Sequence, residues 1–207
     1  MDTVVASTSS YKTTETDIPD SIYFGGAAWG GAFYNGVYKG MTEKWGPDFA
    51  RRTMMHVSGD SAGVMWAIGI NLGRSPEEIE EIFRRQTEKA VKGGQLLGRN
   101  SLYLMEAVEE LLGGDEKAYQ KLEGKFTTAT TTFPFTYTVH AKWSSNDDLI
   151  NCVFGTMHVP LLCSRIRTVR GVNVLDGAFG FCGHHLLHGD RTLFIGIKKH
   201  HMTCVSM

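Results

Sequence analysis

The chain has 207 residues, 42% hydrophobic and 21% charged, which suits one globular domain with a single core. Its net charge is -1 and its basic residues are scattered, so nucleic acid is excluded as an expected partner. No uncharged apolar run approaches the roughly 18–20 residues of a spanning helix, and the expectation is a soluble or peripheral, cytoplasmic protein.

Residues 1–19 are rich in Ser and Thr and lack the basic and apolar regions of a secretory signal. They predict a flexible polar arm closing before Pro19. The domain is expected over 20–198, with 199–207 as a tail. Ser21 to Phe24 is a short apolar strand running into GGAAWGG, and a helix follows with Phe33, Val37, Tyr38 and Met41 near helical spacing. Thr53 to Val57 predicts the next strand, which leads into Gly59-Asp60-Ser61-Ala62-Gly63. VMWAIGINL then reads as a mostly buried helix stopping at Gly73.

Ser75-Pro76-Glu77-Glu78 is a helix start, with Ser as cap, Pro at the first helical position and Glu three residues after the cap. Ile79, Ile82 and Phe83 form that helix's apolar stripe and Gly93-Gly94 ends it. Ser101 opens another helix, with Leu102, Met105, Val108 and Leu112 on one face. KFTTATTTF and FTYTVHAKW predict strands joined near Pro134. A helix over Asn146 to Phe154, a strand over Val172 to Leu175 and a closing strand over Thr192 to Ile197 complete a layered α/β domain.

Three elements carry chemistry. Gly59 to Gly63 fits G-x-S-x-G between a strand and a helix, where a sharp turn lifts the serine oxygen clear of the sheet and the helix N-terminus favours a developing alkoxide. Alone, it reads equally well as a tight turn with a capping serine. GGAAWGG, also between strand and helix, gathers backbone N–H groups around a concave turn suited to an oxyanion. It lacks the Gly-Lys-Ser/Thr of a P-loop, and no acidic ribose ligand follows the next strand as a dinucleotide fold would need. Asp176-Gly177-Ala178 places a carboxylate at a strand end, where it can act on the serine hydroxyl directly as a general base. In isolation it is also an ordinary Asp-Gly turn.

In this order the three elements resemble the patatin-like phospholipase family. Phe24, Gly31, Phe33 and Gly36 match that family's first helix, and FGTMHVPLL stands where it has a short helix leading into a proline strand. DRTLFIGI is similar to the animal triacylglycerol-lipase branch. The resemblance spans roughly residues 21–198 and implies a three-layer α/β/α domain with a mixed, mainly parallel central sheet. It further implies a Ser–Asp dyad cleaving lipid carboxylic esters at a membrane or lipid-droplet surface, with Ser61 as nucleophile and Asp176 as base. Gly25, Gly26, Ala27 and Ala28 would then supply oxyanion donors, while Gly59, Gly63, Gly177 and Ala178 complete the motifs. The turn has alanines where the family commonly has glycines, counted from either Gly25 or Gly26, and GFCGHH replaces the Asn-x-Pro often found after the aspartate. A catalytically weak relative that binds lipid or a partner protein is the alternative.

His184, His185 and His188 offer a second mechanism, a triad with Ser61 and Asp176 in α/β-hydrolase order. His56 is expected as a packed core residue, and Asp60 as a variable position of the turn. Cys152, Cys163, Cys182 and Cys204 form no C-x-x-C pair, so reduced thiols are expected. No ligand cluster calls for a metal, and the chemistry calls for no cofactor. Cys204-Val205-Ser206-Met207 fits the C-a-a-X prenylation pattern or is an incidental terminus. The amphipathic helices between Ser75 and Leu112 would either form a lid or simply cover the sheet.

Overall fold

The structure, a computed structural model, describes residues 18–94, 98–132, 136–163, 166–180, 191–196 and 205–206. Most of the polar arm, His184, His185, His188 and Cys204 therefore lie outside the described residues. The architecture is α/β. Its central sheet is built from β1 (Ser21–Phe24), β2 (His56–Gly59), β7 (Arg191–Ile195) and β8 (Val205–Ser206), in the order β2-β1-β7-β8. β1 pairs in parallel with both β2 and β7, and β8 joins antiparallel. With helices packed around it, this mixed, mainly parallel sheet is compatible with a three-layer α/β/α arrangement.

Register decides where the site lies. Phe24 is level with Gly59 on one side and Ile195 on the other, so the chain leaves β1 and β2 at the same sheet edge. Ligand sites of open α/β sheets gather at these carboxyl ends. All four residues of β1 are buried. Ile22 and Phe24 join the main core, whereas Tyr23 packs on the other face with Ala129 and Phe194.

β2 runs straight into α3 (Gly63–Asn71), all of whose residues are buried, as a helix apolar all round must be. Its Trp66 sits edge-on to Tyr34 and also meets Phe83, with ring centroids 5.4 and 5.3 Å away. Asn71 fixes the far end by donating to Val57 O and Ala67 O, both at 2.9 Å. α1 (Ala32–Trp45), α4 (Pro76–Lys92) and α5 (Asn100–Leu112) pack around α3. The capping box of α4 forms as the sequence requires: Ser75 Oγ accepts from Glu78 N–H and the Glu78 carboxylate accepts from Ser75 N–H.

Several expectations shift. The second strand begins at His56, because the short helix α2 (Phe49–Arg52) occupies the chain just before it. Ile18, assigned to the arm, is 4% exposed and belongs to the core. Phe33 is half exposed, and Tyr34 takes the inward place in α1. In α5, Leu102 faces solvent, while Leu104, Ala107, Val108, Leu111 and Leu112 are buried. A short α6 (Ala118–Leu122) precedes β3 (Thr128–Thr132) and β4 (Thr136–His140), which pair as an antiparallel hairpin.

Residues just before β3 reach the central sheet: Val57 N–H donates to Lys125 O at 2.8 Å. After α7 (Asn146–Thr156), residues 160–163 form a turn where the family resemblance implied a strand. Leu161 has φ 73° there, a conformation that cannot continue a ladder. The strand expected before the aspartate forms as β6 (Val172–Val174), hairpinned with β5 (Arg167–Val169).

Candidate active site

Two separate pieces of backbone bring Ser61 and Asp176 together. Ser61 occupies the elbow between β2 and α3 with φ 46°, a left-handed backbone that costs a non-glycine residue roughly 1–2 kcal/mol. Ala62 caps α3, so Ser61 stands at the helix's positive end. Asp176 follows Leu175, whose N–H and O both bond to Thr131 at 2.7 and 3.0 Å, and its own N–H donates to His158 O at 2.8 Å. Across this junction, Ser61 Oγ donates to Asp176 Oδ2 at 2.6 Å. Ala178 N–H holds the other carboxylate oxygen at 2.9 Å.

The motif glycines act through space rather than through strain. A Cβ on Gly63 would overlap the Phe24 carbonyl oxygen and stand 2.7 Å from Gly25 O. One on Gly59 would meet Phe24 O at 2.7 Å. Both glycines thus let β1 lie against the elbow, and the strained backbone between them is that of Ser61. A Cβ on Gly177 would overlap Ala129 O and crowd Thr156 Oγ1 at 2.5 Å. Thr156 went unnoticed in the sequence, yet its hydroxyl accepts from Ser61 N–H at 3.3 Å.

The Gly-rich turn differs from expectation at Gly25. Its N–H donates to Ile195 O at 2.8 Å, extending the β1–β7 ladder, and is therefore spent before an oxyanion could use it. Gly26 N–H sits beside the Asp60 carboxylate and favours its charged form. Ala27 and Ala28 N–H make no hydrogen bond among the described residues, nor does that of Ala62. Ala28 has φ 47°, a left-handed turn made without glycine. The turn N–H groups left available are therefore those of Ala27 and Ala28, together with Ala62 after the serine, a position that supplies an oxyanion donor in G-x-S-x-G hydrolases.

Ser61 opens onto a cavity of about 130 Å³ lined by Ala28, Trp29, Ala62, Phe83, Leu104 and Met157, among others. The walls are mostly apolar. A dry cavity of about 150 Å³ holds benzene, so this one takes a chain segment of similar size.

Asp176 is 2% exposed. Burial raises its pKa to about 6, against the opposing effects of the Ser61 hydroxyl and Ala178 N–H. A general base works best near the operating pH. Asp60, expected as a variable turn position, is itself buried, and burial followed by the Asp176 charge pushes it up to about 7. The only sequence signal for this was a carboxylate inside the pentapeptide.

His56 is buried and its Nε2 lies 3.1 Å from Thr127 Oγ1, as a packed core histidine should. Cys152 and Cys163 are buried and form no disulfide among the described residues. Among the described residues no group of three metal-ligating side chains gathers, and no helix is long and apolar enough to cross a membrane. No known protein family matches the chain, and no curated protein matches its sequence.

Proposed function

We propose that the protein is a lipid acyl hydrolase that cleaves carboxylic esters of phospholipids or acylglycerols through an acyl-enzyme on Ser61. One observation carries the reading: the 2.6 Å bond from a strained serine at a helix N-terminus to a buried carboxylate, at the mouth of an apolar cavity. The motif order shared with patatin-like phospholipases supports the same class.

In this reaction Ser61 Oγ attacks the ester carbonyl as its proton passes to Asp176 Oδ2. The tetrahedral oxyanion is held by Ala27, Ala28 and Ala62 N–H groups. Collapse expels the alcohol, which takes the proton back from Asp176. Water then attacks the acyl-enzyme with Asp176 again as base, and the fatty acid leaves while Ser61 regains its proton. The acyl segment next to the carbonyl lies in the cavity beside Trp29, Phe83 and Leu104. The enzyme works peripherally, at a cytoplasmic membrane or lipid-droplet surface. Exposed Leu161 and Leu162 support this placement, since Leu162 also lines the cavity.

Hydrolysis of a panel of phospholipids, acylglycerols and galactolipids by wild type, Ser61→Ala and Asp176→Asn tests the proposal. Fatty-acid release by wild type alone is the expected outcome. Equal release by Ser61→Ala would overturn it.

A further inference from the structure

Asp60 is a carboxylate with no conventional reason to be where it is. It directly precedes Ser61, is 5% exposed, and its Oδ1 has no hydrogen-bond partner among the described residues. No ion pair involves it or Asp176 among the described residues. An ionised carboxylate buried without a cation and with one oxygen unpaired is unfavourable, and such groups are driven to the neutral form.

The groups around it come from each neighbouring element. Tyr23 of β1 donates its hydroxyl, the turn offers Gly26 N–H, and Tyr34 of α1 feels the Asp60 charge. From the opposite side, Gly177 approaches so closely that a Cβ there would stand 3.1 Å from the Asp60 Cβ. That brings Asp176 alongside. Among the described residues the inventory is therefore two carboxylates, two phenols and backbone amides, with no positive side chain. Two neighbouring buried carboxylates resist being ionised together, and their protons leave in two coupled steps.

We propose that Asp60 is a positioning residue for the reaction: it stays protonated while Asp176 carries the pair's single negative charge, and its ionisation would place a second charge beside the turn that holds the oxyanion. The inference rests on Ser61 and Asp176 being the reacting pair. Burial raises both groups toward neutrality. Asp176 keeps the charge because Ser61 Oγ–H and Ala178 N–H donate to its two oxygens, whereas Asp60 Oδ1 has no partner among the described residues. This leaves a window near neutrality with one charge present. Above that window the new charge repels the oxyanion forming beside the turn.

Two measurements test this. The first follows hydrolysis of a short-chain p-nitrophenyl ester against pH, where wild type should pass through a maximum near neutrality. Its rate should then fall by roughly tenfold for each pH unit above about 8. Asp60→Asn, close in shape, should keep the acid limb and lose the alkaline fall. A fall that persists in Asp60→Asn, or is missing from wild type, would overturn the proposal.

The second is independent of hydrolysis. The protonated carboxyl band in the infrared is followed from pH 5 to 9 in the full chain carrying Ser61→Ala, alone and with Asp176→Asn. A buried carboxyl that ionises near neutrality, and does so at lower pH once Asp176 loses its charge, is expected. A carboxyl inventory already fully ionised at about pH 6, or no shift on Asp176→Asn, would overturn the coupling even in a protein that hydrolyses nothing. Conversely, the coupling surviving in a protein without esterase activity would place the failure in the hydrolase reading.

Discussion

Gly63→Ala puts the packing of the elbow to a quantitative test. Gly63 is the first residue of α3, where alanine is the better helix former by roughly 0.5–1 kcal/mol, so local propensity alone predicts a more stable protein. Space predicts the reverse. The new Cβ would overlap Phe24 O and lie 2.7 Å from both Gly25 O and the Phe24 carbonyl carbon. These are backbone atoms of a strand bonded on both sides, so no side chain can swing away. Relief requires β1 and α3 to move apart, and overpacking of this kind costs about 1–3 kcal/mol or more. The net expectation is destabilisation by about 2 kcal/mol. With a urea slope near 2 kcal/mol/M, the unfolding midpoint drops by about 1 M. Esterase activity should fall as well, because the same movement carries the Gly-rich turn away from Ser61. Gly36 and Gly40 of α1 are internal controls: among the described residues nothing lies within 4 Å of an added Cβ at either, so alanine there should stabilise by roughly 0.5–1 kcal/mol. Urea melts of the three variants decide the matter. A Gly63→Ala protein as stable as the Gly36→Ala control would refute the packing described for the elbow.

Other expectations follow from single contacts. Ser75→Ala removes the hydroxyl that accepts from Glu78 N–H and should cost about 1 kcal/mol in a urea melt. Leu104→Phe narrows the cavity beside Ser61; hexanoyl ester hydrolysis should fall roughly tenfold relative to acetyl ester, about the effect of losing one or two buried methylenes. Asp60 also predicts a stability trend. Its folded-state pKa, about 7, is raised from 3.8, so its contribution is fully present below about pH 4 and lost as pH rises through about 7. Asp60→Asn should therefore shrink the stability difference between pH 4 and pH 8 by a few kcal/mol, at most about 4, as read from melts at the two pH values.

What the sequence made legible was the local grammar. β1, the Ser75 capping box and the elbow pentapeptide are each fixed by a few adjacent residues, and each forms where those residues require. The stripe of α5 was legible in part: Val108 and Leu112 are buried as expected, whereas Leu102 faces solvent and Leu104 and Leu111 take inward places as well. Contact with α3 and α7 decides between them. The shortened Thr53 strand and the turn after Pro160 likewise depend on neighbours, α2 in one case and the left-handed Leu161 in the other. Within the site, the order of Ser61 and Asp176 pointed to their meeting. The use of Gly25 N–H by Ile195 did not, since it needs a strand that arrives some 170 residues later. Asp60 reads as a polar turn residue until Tyr23 and Gly177 bury it.

The account turns on Ser61 being a nucleophile made reactive by Asp176, and intact-mass analysis after treatment with a fluorophosphonate reads this directly. Wild type should gain one adduct, mapped to Ser61 by peptide sequencing, and Asp176→Asn should label at least about a hundredfold more slowly. An adduct on another residue, or Asp176→Asn reacting as fast as wild type, would contradict it.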